Sequence, residues 1–162
     1  MENEKLVEEE PQRQFVLFHL DDTEFAVPIE QVVRVVPLTK STRVPRAPAF
    51  LEGVVNLHGD IVPVVDLKKR FRLTPSPYDE EARIIVVHVD GEYLGLIVDA
   101  VAEILWLPTA AINPPPAIVA DINGVYLTGV ATQEDRLFVI LDLSRVLSPE
   151  EITELEELER DT

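Results

Sequence analysis

The fold is decided by a stretch that occurs twice, first at residues 15–36 as FVLFHLDDTEFAVPIEQVVRVV and again at residues 84–105 as IIVVHVDGEYLGLIVDAVAEIL. The two segments align without a gap at a shift of 69 positions. An internal repeat determines the architecture, because each copy is one structural unit that packs against the other. The matched pairs include His19 with His88, Glu30 with Asp99, Val32 with Val101, and Val35 with Ile104.

The repeat continues further along the chain at a larger shift. Residues 53–71, GVVNLHGDIVPVVDLKKRF, match residues 129–147, GVATQEDRLFVILDLSRVL, at a shift of 76 positions. The difference between the shifts, 76 minus 69, is seven residues and falls in the connecting loop, where insertions are best tolerated. The sequence therefore predicts two equivalent halves, at about 15–71 and 84–147, in which Gly53 matches Gly129 and Asp66 matches Asp142.

The residue pattern of each half is typical of short β-strands. FVLFHL (15–20) and RIIVVHV (83–89) are rich in β-branched and aromatic residues. The second run ends in Asp90-Gly91, which is a strong signal for a two-residue hairpin turn. Short strands that are apolar on both faces, with little helical periodicity, favour two small closed barrels packed together. We therefore expect an all-β fold.

One helix is predicted, at the carboxyl end of the chain. Ser148 supplies an N-cap, Pro149 the first helical position, and Glu151 the acidic member of a capping box. The helix should dock on its own domain through an apolar stripe of Ile152, Leu155 and Leu158.

The charge distribution limits the classes of partner. The formal net charge is −16. The acidic segments 1–12 and 148–162 are predicted to be a solvated tail and a helix with its tail. Half of the 14 basic residues lie between positions 40 and 72, so a local basic surface is expected. The net field nevertheless repels phosphate, which argues against nucleic acid as a partner.

A cytoplasmic protein is expected from the composition. The chain has no cysteine, which fits a reducing compartment. No stretch approaches the ~20 apolar residues of a membrane span, and the acidic amino terminus lacks the apolar segment of an export signal. The protein is therefore predicted to be neither exported nor inserted.

The sequence offers little for catalysis. His19 and His88 are repeat mates inside apolar strands, which favours structural roles over metal ligation. Asp66 and Asp142 each follow a strand and precede a short Leu-containing turn of helix, so we interpret both as N-caps. No phosphate-binding loop, nucleophile elbow or zinc motif occurs. We expect no catalytic residue, metal or cofactor, and a binding module is the default.

The segment GVVNLHGDIVPVVDLKKRF resembles the signature of the CheW family, in which an Asn-Leu-Arg-Gly turn is followed by an Ile-Val-Pro strand and an Asp-Leu that opens a short helix. The blocks VPRAPAFLEG, GLIVDAVAEIL and LTGVATQEDRLFVILDLSRVL resemble the flanking family blocks, so the resemblance covers about residues 13–150. It implies two interlocked five-stranded SH3-like barrels and no enzymatic activity.

The resemblance also implies the partners. CheW-like proteins bridge the cytoplasmic tip of chemoreceptors, the methyl-accepting chemotaxis proteins, and the CheW-like regulatory domain of the histidine kinase CheA. This chain is then expected to be a chemotaxis scaffold that is recruited to receptor arrays at the inner face of the cell membrane and is monomeric outside them. A flagellar and a non-flagellar pathway, such as one driving type IV pili, both remain open.

Carried over by motif, the receptor helix would lie in an apolar groove between the barrels. The predicted groove residues are Val32, Arg34, Val35, Asn56, His58, Gly59, Val101 and Ile104. Four of them form the walls, namely Val32 and Val35 with their repeat mates Val101 and Ile104. The alternative is that these four are plain core residues, since apolar residues in such strands are mostly buried.

Two positions depart from the family pattern. The Arg of the turn is His58, and a Glu expected four residues after Glu30 is Arg34. Neutral surface drift would explain both changes, because exposed charge pairs contribute little. The sharper hypothesis is that the receptor partner has shifted its charges as well.

Two other classes remain to be weighed. A regulatory domain descended from a kinase would need a catalytic neighbour on the same chain, for which 162 residues leave no room. An enzyme would need several polar side chains that converge on one pocket, and the sequence shows no such set.

Overall fold

The computed structural model describes residues 11–74, 76–115 and 127–160. Within these residues the chain forms mostly β-strands, as expected. The strands are β1 (Gln12–Leu20), β2 (Thr23–Pro28), β3 (Val32–Pro37), β4 (Leu51–Leu57), β5 (Asp60–Asp66), β6 (Arg83–Val89), β7 (Glu92–Val98), β8 (Ala100–Pro108), β9 (Ile112–Asn113), β10 (Leu127–Gln133) and β11 (Arg136–Leu141). The α-helices are α1 (Leu67–Arg70) and α2 (Pro149–Arg160).

The two halves exchange strands. A six-stranded sheet has the order β8-β1-β2-β11-β10-β9, and a five-stranded sheet has the order β3-β6-β7-β5-β4. The first hairpin of each half, β1-β2 or β6-β7, therefore belongs to the sheet that the other half completes. The joints are the parallel pairs of β2 with β11 and of β7 with β5. The expected interlocked architecture is confirmed, with the two-residue strand β9 as an addition to one sheet.

Each sheet is closed into a barrel by the chain itself. After β3, at one edge of the five-stranded sheet, Thr42 forms a bridge to Val54 in β4, at the other edge. After β8, at one edge of the six-stranded sheet, β9 pairs with β10. Both crossings pass over a glycine: an added Cβ would lie 2.7 Å from the carbonyl oxygen of Thr42 at Gly53, and 2.5 Å from that of Asn113 at Gly129. The duplicated glycines are therefore required for closure.

Strand alternation produces three apolar clusters. In β1, Phe15 and Leu17 point into the six-stranded barrel, whereas Val16 and Phe18 point to a central cluster between the sheets. Strand β6 repeats the pattern, because its alternate residues enter the five-stranded barrel and the central cluster. Burial on both faces explains why these strands are continuous apolar runs.

The predicted hairpin turn is confirmed. Asp90 and Gly91 both have positive φ, 52° and 84°, between β6 and β7. His58 and Gly59 take the same conformation between β4 and β5, with φ of 55° and 95°. Two consecutive positive φ values define the hairpin turn whose twist matches that of the strands.

The helix signals are also confirmed. Asp66 accepts hydrogen bonds from the backbone N–H groups of Lys68 and Lys69, and Asp142 accepts one from that of Ser144. At α2 the backbone N–H of Glu151 donates to Ser148 Oγ at 3.1 Å, and that of Ser148 donates to Glu151 Oε1 at 2.7 Å. These reciprocal bonds are the capping box.

Helix α2 docks on its own domain, as predicted. Leu155 is buried in the central cluster and Ile152 packs against it. A bidentate ion pair adds to this contact, because Arg70 of α1 donates to both carboxylate oxygens of Glu151, at 2.6 and 2.8 Å.

Some expectations fall on residues outside the described ranges. The acidic segment 1–10 and the last two residues are among them, so the predicted solvation of the tails stays a prediction. Among the described residues, no helix is long and apolar enough to cross a membrane.

Candidate partner-binding groove

Two equivalent bulges place the four predicted wall residues on one face of their sheets. Residues three apart in a regular strand point to opposite faces. In β3, however, Val32 pairs with Val87 and Arg34 with Val86, which makes Val33 the extra residue of a bulge. The bulge restores the alternation so that Val32 and Val35 point to the same side.

The second wall repeats this geometry. In β8, Val101 pairs with Phe18 and Glu103 with Leu17, so Ala102 is the bulge residue. Ala102 is the repeat mate of Val33. Beyond the bulge Ile104 pairs with Val16, and paired residues share a face. Since Phe18 and Val16 belong to the central cluster, Val101 and Ile104 both point to the side between the sheets.

The four residues differ in exposure along this face. Val32 and Val101 are half-buried and pack against the central cluster. Val35 and Ile104 lie further along their strands and expose 40% and 56% of their surface. The alternative that the wall residues are core residues therefore fits Val32 and Val101. Val35 and Ile104 instead expose apolar surface to solvent.

Trp106 extends the second wall, and the sequence analysis missed it. It lies two residues beyond Ile104 in β8, so it points to the same face, and it is 56% exposed. Its repeat mate is Pro37, at the end of β3. The signal that could have identified it is the two-residue spacing from Ile104.

Arg34 lies on the other face of β3. Its pairing partner Val86 points into the five-stranded barrel, so Arg34 does not belong to the wall that carries Val35. Instead it lines a cavity of about 170 Å³ with Asp60 and the exposed Tyr93. The remaining lining residues are Val33, Leu57, Ile61, Val62 and Val86.

The matching position of the six-stranded barrel is covered by ion pairs. The repeat mates of Arg34 and Asp60 are Glu103 and Arg136. The guanidinium of Arg136 donates to Glu103 at 3.2 Å and to Glu24 at 3.0 Å. These hydrogen bonds raise the pKa of Arg136 above its usual value. One barrel thus closes this position with its own charges, while the other leaves an open cavity beside Arg34.

The predicted turn residues adjoin that cavity through their hairpin. Asn56 Oδ1 accepts a hydrogen bond from the backbone N–H of Gly59 at 2.8 Å, so Asn56 stabilises the turn. His58 is exposed at the tip of the hairpin. Leu57 and Asp60, on either side of the turn, both line the cavity. The eight predicted residues therefore separate into an inter-sheet face and a cavity-and-turn group.

No cluster with the composition of a metal site occurs among residues 11–74, 76–115 and 127–160. His19 lies 4.0 Å from Glu24, and the ring of His88 packs at 4.7 Å from that of Tyr93. Each histidine contacts its direct cross-strand neighbour.

Comparison with known proteins gives one consistent result. The family model described as "CheW-like domain" matches residues 14–151. Chemotaxis protein CheW of Klebsiella aerogenes is 32% identical over 148 residues, covering 91% of this chain and 89% of that protein. Protein FrzA of Myxococcus xanthus is 31% identical over 140 residues, covering 85% and 86%.

A solved structure shares the fold. The scaffolding protein TtCheW of Thermoanaerobacter tengcongensis superposes with a TM-score of 0.79 at 36% identity, covering 84% of this chain and 92% of that one. CheW proteins are non-catalytic scaffold adaptors of chemotaxis. With a family model that matches most of its length and relatives above 30% identity, the chain belongs to the CheW-like family.

Proposed function

We propose that this chain is a scaffold adaptor that couples chemoreceptors to the histidine kinase CheA in bacterial chemotaxis signalling. Family membership supports the scaffold role. The observation that carries the proposal is the exposed apolar surface of Val35, Ile104 and Trp106 on the face between the sheets. Apolar side chains of this size on exposed strands commonly mark interaction sites.

The receptor partner is proposed to be the helical cytoplasmic tip of a methyl-accepting chemotaxis protein. Val35 and Ile104 lie at matching positions of the two walls, so a helix between them would contact equivalent side chains on its two sides. An amphipathic helix buries its apolar stripe in such a groove. The half-buried Val32 and Val101 would form its floor.

The kinase partner is proposed to be the CheW-like regulatory domain of CheA. Arg34, Asp60 and the turn at His58 would give the receptor a second, charged contact region beside the apolar groove. Electrostatic complementarity of this kind sets specificity and association rate more than affinity. The functional unit is proposed to be residues 13–150, with the acidic amino-terminal segment outside it and helix α2 docked against it.

The chain would then act in the cytoplasm, at receptor arrays on the inner face of the cell membrane, and would be monomeric outside them. Modest affinity for each partner suffices, because multivalency strengthens binding in an array.

A non-flagellar pathway is the second candidate. The observation in its favour is the similarity to Protein FrzA, a relative that does not carry the CheW name. The identity of the genes next to this one, for flagella or for pili, discriminates between the two pathways.

The test is binding to both partners, alone and together. The purified full chain is mixed with the regulatory domain of its cognate CheA and with a receptor tip fragment, and complexes are resolved by size-exclusion chromatography. We expect a ternary complex. The variant Ile104→Asp should no longer bind the receptor fragment but should still bind the kinase domain. The control Leu137→Asp changes a side chain of similar exposure on β11 and should still bind both partners. Binding of neither partner by the unmodified chain would refute the proposal.

A further inference from the structure

An ion pair between a buried lysine and a partly buried aspartate joins the two halves of the chain at the start of one groove wall. Lys68, in α1 of the first half, has a side chain that is only 3% exposed. Its Nζ donates to Asp99 Oδ1 at 2.7 Å. Asp99 belongs to the second half and directly precedes β8, the strand that carries Val101 and Ile104.

Further contacts fix both members of the pair. Lys68 Nζ also donates to Ser76 Oγ at 2.8 Å and lies 4.1 Å from the centre of the Tyr78 ring. The other oxygen of Asp99, Oδ2, accepts from the backbone N–H of Asp21 at 2.7 Å. The ion pair therefore ties together α1, the linker between the halves, the β1–β2 turn and the start of β8.

Among the residues that the structure describes, the matching position before the other wall has no such anchor. The repeat mate of Asp99 is Glu30, which lies just before β3, and its side chain is 62% exposed. Its ion pair with Arg13 is long, at 3.5 Å. The counterpart of Lys68 is Ser144, which bonds Asp142 instead. An exposed pair of this length contributes little, whereas a buried charge cannot lose its partner without a large penalty.

We propose that Lys68 is a positioning residue for the groove: through Asp99 it holds the β8 wall in a preformed position, while the β3 wall, whose matching ion pair lies at the surface, adjusts when a partner binds. The partner's identity rests on the proposed function. The asymmetry of the two walls does not, since it belongs to the free protein. Preformed surfaces bind more tightly because less ordering is needed on association.

The first test measures affinity for the receptor tip fragment and thermal stability together. Lys68→Met keeps the apolar stem and removes the charge, and Arg13→Met is the matched control at the other wall. In the double variant Lys68→Met/Asp99→Leu both charges are gone, and apolar replacement of a buried pair commonly restores stability. A structural role alone requires affinity to follow stability in all three variants.

The positioning role has a different expectation. Lys68→Met should lower the affinity for the receptor tip fragment by at least about fivefold, which is the lower end of usual couplings between two sites. The double variant should recover its melting temperature without recovering this affinity, and Arg13→Met should bind as the unmodified chain does. Affinity that recovers together with the melting temperature, or that never falls, overturns the proposal.

The second test uses the free protein and needs no partner. In native-state hydrogen exchange, Lys68→Met should accelerate exchange of the β8 amides near Val101 and leave those of β3 near Val32 unchanged. Equal acceleration in both strands, or none, overturns the proposal. If the unmodified chain fails to bind the receptor fragment, the proposed function fails, and hydrogen exchange still decides the role of Lys68.

Discussion

Truncation of Ile104 should weaken receptor binding by up to about tenfold while leaving the fold intact. Complete burial of an isoleucine side chain contributes about 1.5–3 kcal/mol. Because 56% of Ile104 is exposed in the free protein, its burial under a partner helix can contribute about half of that free energy. Ile104→Ala should then cost about 0.8–1.5 kcal/mol, and 1.4 kcal/mol is a factor of about ten in Kd.

The same calculation gives a smaller effect for Val35. It is less exposed, at 40%, and its side chain is smaller, so Val35→Ala should cost about 0.7 kcal/mol, or about threefold in Kd. If the two walls contact opposite sides of one helix, the losses add in the double variant to up to about 30-fold.

Trp106 provides the assay. It is the single tryptophan of the chain and lies on the same face as Ile104, so its emission should shift to shorter wavelength as the receptor tip fragment covers it. Titration of the fragment at constant salt yields Kd for each variant. Leu137→Ala is the control, because Leu137 is 58% exposed and is not a predicted wall residue.

The reasoning is refuted by either of two results. One is an Ile104→Ala variant whose Kd stays within about twofold of the unmodified chain, below the calculated loss. The other is a Leu137→Ala variant that loses as much affinity as Ile104→Ala. Melting temperatures should be nearly unchanged in both, since exposed substitutions rarely alter stability by more than about 0.5 kcal/mol.

Three further predictions concern charge, closure and pH. Arg34→Glu should lower the affinity for the receptor fragment more than Arg34→Gln does, because like charges repel at short range. The difference in affinity between the two variants should shrink as salt is added. Equal or tighter binding by Arg34→Glu would contradict the hypothesis that the receptor has shifted its charges. Gly129→Ala should lower stability in urea by about 1–3 kcal/mol through the clash with Asn113, and an unchanged midpoint would show that the crossing strand can move. Burial and the hydrogen bond to Asp66 raise the pKa of Tyr78 above its ordinary 10.0, so the unfolded chain ionises first and stability should fall as pH rises above 10.0. Denaturant titrations at increasing pH should show a shallower fall in the free energy of unfolding for Tyr78→Phe. An equally steep fall in the variant would show that ionisation of Tyr78 is not its cause.

Much of the candidate site could be predicted, because it depends on the repeat. The match of Val32 with Val101 and of Val35 with Ile104 selected the pairs that the structure places on the face between the sheets. Arg34 shows the limit of this approach. A one-residue bulge at Val33 sends Arg34 into a cavity on the opposite face, and a bulge depends on pairing with β6, about fifty residues away in the chain.

The fold shows the same division between local and distant causes. Turn residues at Asp90-Gly91, caps at Asp66 and Asp142, and the capping box of α2 could be predicted because each depends on neighbours within a few positions. Likewise, strand character follows from apolar runs that any half-buried sheet would favour. These features depend on residues that are close together in the sequence, so they form whatever the tertiary arrangement is.

By itself, the sequence determined a duplicated all-β protein with a capped terminal helix and no evident catalytic residues. Only the tertiary structure decided which hairpins the halves exchange, that glycines at 53 and 129 lie under crossing strands, and that Lys68 is buried against Asp99. The physical reason is that strand pairing and burial are set by contacts between residues far apart in the chain. Lysine is a surface residue by its own preference. The carboxylate of Asp99, brought by the other half, allows Lys68 to be buried, together with the contacts to Ser76 and Tyr78.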